Sequence, residues 1–258
     1  MPPGRAVRRA PSSSPGDTAY LRAVVSDPFG AFDITAARVQ VADAGGTGVL
    51  TPTPMAQVDS GGAIRTYEYA YVPTSIGPEG NWTVTVEADE GEEGEISDIG
   101  TGAFELGLPD FLILKSSTVI SDPVNGSSNP KRIPAAVIAY QIQVSNQGRG
   151  RADDGTVVVT DALPDSVELA VDAGGGDPVG FGDGSTPSGL TFDVATDVAY
   201  SEEPDGGAPF TATPVDGDGD GFFDNVTGLR ITPGGRMNGN TGSPPAPSFR
   251  LDYRVRLD

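Results

Sequence analysis

The chain has 258 residues, with 16 Lys plus Arg against 36 Asp plus Glu, a formal net charge of −20, and neither cysteine nor histidine. That balance argues against a nucleic-acid or anionic-membrane surface. The two missing residue types exclude disulfides, thiolate metal sites, thiol nucleophiles and the usual general base.

Residues 1–17 are rich in Pro, Ser and Arg, with Arg5, Arg8 and Arg9 ahead of the first acid, Asp17. Such a composition predicts a flexible basic arm on an acidic body. It has no apolar core of the kind a signal peptide carries, and no run in the chain approaches the roughly 20 apolar residues of a membrane helix.

From Thr18 onward, apolar and polar residues alternate with period two, broken by Gly, Pro, Asp and Asn about every ten residues, which predicts short antiparallel strands with one wet face. "NWTVTVEA" places Trp82, Val84, Val86 and Ala88 on one face. "AAVIAYQIQVSN" does the same with Ile138, Tyr140, Ile142 and Val144, and "SFRLDYRVRLD" with Phe249, Leu251, Tyr253, Val255 and Leu257. No helical period is sustained, and 36 Gly with 23 Pro would interrupt long helices. The expected fold class is all-β, two Ig-like antiparallel β-sandwich domains in tandem. Gly107 and Pro109 punctuate the chain before an apolar run that starts at Phe111, so the domains are set at 18–107 and 108–258. The second carries a Gly/Asp/Pro-rich insertion over 174–242.

Within 18–107, Tyr67, Tyr69 and Tyr71 alternate in "RTYEYAYVP" and share one strand face. Exposed, they would form a stacking ladder for a glycan; buried, they would be core. Residues 87–98, "EADEGEEGEISD", form an acidic cluster that reads as a solvated hairpin tip or, through Glu90, Glu92 and Glu93, as a dock for the Arg5, Arg8 and Arg9 arm of a neighbouring copy.

In "PVDGDGDGFFDNV", residues 214–226, Asp216, Asp218, Asp220 and Asp224 alternate with glycines. The spacing matches the front of an EF-hand loop, with the Phe222 carbonyl as a further oxygen, although Thr227 stands where an EF-hand has its bidentate Glu. Two readings stand: a structural Ca²⁺ loop, or a solvated acidic turn.

Residues 114–169 contain "PAAVIAYQIQVSNQG", ending in Asn-x-Gly, and "VVVTDALP", where a strand meets Asp161 and Leu-Pro. This stretch resembles the Ig-like conserved repeats of bacterial and archaeal cell-surface proteins. The resemblance implies a β-sandwich in an extracellular wall, adhesive or filament setting, and no enzymatic activity. The first half of the chain looks like another Ig-like surface module. The resulting expectation is a non-enzymatic, Ca²⁺-stabilised extracellular protein that self-associates into a filament, layer or matrix by arm docking or strand addition. An adhesin or carbohydrate-binding module is the alternative, and a hydrolase built on a carboxylate pair is a third.

Overall fold

The computed structural model describes residues 6–7, 14–27, 30–73, 77–91 and 96–258. The chain divides into two compact units, one ending at Leu108 and one beginning at Pro109.

The first unit contains β1 (Ala6–Val7), β2 (Ala19–Ser26), β3 (Ile34–Ala42), β4 (Gly48–Pro54), β5 (Ala56–Gly61), β6 (Ile64–Tyr71), β7 (Gly80–Glu90) and β8 (Ile96–Leu106). They form two four-stranded antiparallel sheets, ordered β1-β2-β6-β5 and β4-β3-β7-β8. The period-two faces meet between them: Leu21, Ala23 and Val25 of β2 pack with Val39 and Val41 of β3, Trp82, Val84 and Val86 of β7, and Phe104 and Leu106 of β8. Burial of these apolar faces drives the stacking. Tyr67 and Tyr71 are buried in this core, and Tyr69 packs half-buried against it. The stacking ladder drawn from their alternation is therefore replaced by the core reading. A ring wedged between two sheets has no face left for a sugar.

The second unit contains β9 (Phe111–Ser121), β10 (Val137–Asn146), β11 (Val159–Ala162), β12 (Val167–Ala170), β13 (Gly180–Asp183), the single-turn α1 (Val194–Asp197), β14 (Val198–Ser201), β15 (Phe222–Phe223), β16 (Gly228–Ile231) and β17 (Ser248–Leu257). One sheet runs β15-β12-β17-β10-β9, with β13 also on β17, and the other is β11-β16-β14. The inward faces predicted for β10 and β17 bury Ile138, Ile142, Val144, Phe249, Leu251, Tyr253 and Val255. The stretch 174–242 is not an appendage. It supplies β13 to β16, two of the three strands of the second sheet, and buries Val179, Leu190, Leu229, Ile231 and Met237. Most of its Gly and Asp residues lie in the turns, and its strands of two to four residues are too short to show alternation.

Between β9 and β10 the chain winds around Asp122, which is buried. Its Oδ1 accepts the N–H groups of Val124 (2.8 Å) and Asn125 (2.6 Å). Its Oδ2 accepts Lys131 N–H (2.6 Å) and the Asn125 amide (3.0 Å). The Asn125 side chain first, and then the backbone donors, hold this carboxyl down to about 2. A carboxylate depressed from 3.8 contributes stability that is fully present above pH 4 and is lost as pH falls through 2. Asp122→Asn is thus expected to melt below wild type at pH 6, by a gap that holds down to about pH 4 and narrows from there to pH 2 in a calorimetric pH series; a gap constant over the whole range would show that the carboxylate charge is irrelevant.

Candidate functional site

The loop 214–226 leaves and re-enters the second unit through a closed neck. Asn225 Oδ1 accepts Val215 N–H (2.9 Å), its amide donates to Thr213 O (3.0 Å), and Asp224 N–H donates to Val215 O (2.9 Å). Inside the loop, Asp216 turns the chain around its own carboxylate. Oδ1 accepts from Gly219 (2.8 Å) and Asp220 (3.1 Å), and Oδ2 from Gly221 (3.0 Å). Gly219 and Gly221 have φ of 76° and 92°, a region that suits glycine and few other residues.

The turn brings Asp216, Asp218 and Asp220 together, with one carboxylate oxygen from each lying within 4.8 Å of the others. A Ca²⁺ ion holds oxygens at about 2.3–2.6 Å, so two ligands on opposite sides of it stand up to ~5 Å apart. The spacing fits one such ion, and an all-carboxylate donor set suits a hard cation. Asp218 is exposed and accepts Asp220 N–H (3.2 Å), and unlike Asp220 it has no ion pair with Arg256. Asp224 is not part of this group of three. Its Oδ2 accepts Gly217 N–H at 2.9 Å, which helps to close the loop. Phe222 lies in β15, paired with Ala170 of β12.

The loop is fastened to the large sheet by a residue the motif did not signal. Arg256 of β17 bonds Glu168 of β12 and, on its other side, Asp220, while its guanidinium sits 4.3 Å from the Phe222 ring centroid. This arginine, ahead of other causes, holds the Asp220 carboxyl below its ordinary value. Asp220 is therefore partly neutralised before any ion arrives, which lets like charges gather this closely. Nothing local in 214–226 points to a partner more than 30 residues away. The only available hint is that the alternation of β17 puts Arg256 on the face away from the core.

Of the residues expected to dock a neighbour, Arg5, Arg8, Arg9, Glu92 and Glu93 lie outside the described residues. Glu90 ends β7, half-buried and paired with Ile34 and Ile96. Among the described residues no helix is long and apolar enough to cross a membrane.

No protein-family model matches the chain, and no curated protein does. Among solved structures, the BspA C-terminal domain of the AgI/II polypeptide of Streptococcus agalactiae is 13% identical, with a TM-score of 0.34 over 100% of this chain and 92% of that one. A Porphyromonas gingivalis protein of unknown function is 13% identical, with a TM-score of 0.24 over 98% of this chain and 83% of that one. Scores this low carry no argument about function.

Proposed function

We propose that this chain is a non-enzymatic structural module of a bacterial cell surface, that it self-associates, and that the loop 214–226 is stabilised by Ca²⁺. The carrying observation is the convergence of Asp216, Asp218 and Asp220 within 4.8 Å in a glycine-turned loop pinned to the sheet by Arg256. The surface setting is supported by the likeness of residues 114–169 to surface repeats and by an architecture of stacked antiparallel sheets. Extracellular Ca²⁺ sites with a Kd of ~10⁻⁴ to 10⁻³ M fill in a millimolar medium. An adhesin would need a ligand platform, and the tyrosines of β6 do not form one.

Because Arg256 already compensates Asp220, changing Asp220 would disturb the ion-free protein. Asp218→Ala is the cleaner test. At 1 mM Ca²⁺ and a Kd of ~10⁻⁴ M, linkage stabilises the folded form by about 1.4 kcal/mol, or a rise in Tm of roughly 3–6 °C for a unit of this size. Wild type is expected to show this rise relative to chelator, and Asp218→Ala to lose it while melting normally in chelator. Identical wild-type melts in both media would reduce the loop to an acidic turn.

A further inference from the structure

We infer that the free edge of β9 is a self-association surface, and that a second copy of this chain adds its own β9 antiparallel to it, about a two-fold axis passing by Ser116. This rests on the structural reading above and names its contact surface.

β9 ends the large sheet, and its only partner among the described strands is β10. Phe111, Leu112, Ile113 and Leu114 are 40, 47, 57 and 56% exposed, a run of four large apolar side chains on an open edge. Soluble proteins blunt long edges with prolines, charges or bulges, because unpaired N–H and C=O groups template another strand. The other long edges here follow that rule. β4 carries Pro52 and Pro54, β5 carries Asp59 beside a register shift, and β8 carries Asp98 and Glu105. Eleven residues long, β9 contains no proline and no acid. Its single base is already used: Lys115 Nζ bonds Asp161 at 2.6 Å and lies 4.8 Å from the Tyr140 ring centroid.

The self-complementarity of the strand, and not charge, selects a second copy as the occupant. Two bodies of net charge −20 repel at most approaches, and β9 is a long acid-free strip on which they can meet. Its sequence is self-complementary. Register to β10 is regular from Phe111 to Val119, with the irregularity beyond it. Strands related by a two-fold normal to the sheet keep their faces, so residues of equal parity must oppose each other. Centred on Ser116, Ile113 faces Val119, Leu114 faces Thr118 and Lys115 faces Ser117. The first two are aliphatic and β-branched pairs of the kind that stabilise sheets. Centring on Lys115 would set the two lysines against each other, and centring on Leu114 would set Ile113 against Lys115.

The chain has no cysteine, so a single introduced one reports the register. Directly opposed residues in an antiparallel pair have Cα atoms about 4.5–5.5 Å apart, inside the disulfide range. Under mild oxidation Ser116→Cys is expected to give a covalent dimer and Leu114→Cys is not. In sedimentation velocity, wild type is expected to dimerise, and Ile113→Lys to be monomeric with an unchanged Tm, because Ile113 is exposed. A monomeric wild type, a dimer that survives Ile113→Lys, or crosslinking by Leu114→Cys instead of Ser116→Cys would each overturn the inference. Running the series in Ca²⁺ and in chelator separates the two proposals. A monomer whose Tm still rises with Ca²⁺ removes the β9 contact alone, whereas a β9 dimer indifferent to Ca²⁺ removes the ion loop alone.

Discussion

Trp82→Ala is expected to destabilise the first unit by about 3–5 kcal/mol, the cost of removing a large aromatic from a packed core. Trp82 sits on β7, an inner strand of its sheet, with no exposed surface. Its ring lies 5.8 Å from Phe104, which in turn lies 6.1 Å from Tyr71, and its indole N–H donates to Pro78 O at 3.0 Å. The ring also fits against bare backbone, since a Cβ on Gly77 would stand 2.6 Å from Trp82 Cζ2. Truncation would leave an aromatic-sized hole, an unpaired carbonyl and a loop with nothing to rest on. At roughly 4–8 °C per kcal/mol for a domain of this size, the far-UV circular dichroism melt of this unit should fall by more than 10 °C. A shift of only a degree or two would mean that the loop collapses into the gap.

Asn146→Ala should cost the second unit about 2–4 kcal/mol, through hydrogen bonding instead of volume. Asn146 closes β10, is fully buried, and satisfies four backbone groups at once. Oδ1 accepts from Asp110 N–H (3.0 Å) and Gly148 N–H (3.1 Å), and the amide donates to the carbonyls of Gly150 (2.8 Å) and Asn238 (3.0 Å). Alanine would strand two donors and two acceptors away from water. Asn146→Asp would fare no better, because a carboxylate cannot serve the two carbonyls. Since Trp82 is the chain's sole tryptophan, its fluorescence reports the other unit. Urea unfolding of Asn146→Ala should show an earlier transition by circular dichroism and an unshifted one by fluorescence. Coincident shifts in both signals would show that the two units unfold together.

Legibility in the sequence depended on strand length and on where a side chain's partner lies. β7, β10 and β17 span ten or eleven residues, enough for alternation to name their buried faces. β14 and β16 have four each, and the glycines around them made core structure look like an insertion. The tyrosines of β6 show the same limit, for alternation fixes that they share a face and is silent on what covers it. The apolar run at Phe111 shows its converse: composition marks the strand, but only its place at the end of a sheet leaves Leu112 and Leu114 open to solvent. In the acidic loop, Asp216, Asp218 and Asp220 were legible because their carboxylates converge through local chain reversal. The hydrogen bond from Gly217 to Asp224, and the clamp of Arg256 on Asp220 and Glu168, depend on tertiary placement that no local pattern encodes.

The order of strands in the large sheet has a mechanical corollary. β10 lies between β9 and β17 and is antiparallel to both, so β9 and β17 run in the same direction. Tension applied at Phe111 and Leu257 would drag the two outer strands oppositely along the one between them. The registered pairs on either side of β10 would then be strained in shear, many hydrogen bonds giving way together, whereas strands peeled from an end release them singly. A module wired in this way resists stretching along its own axis.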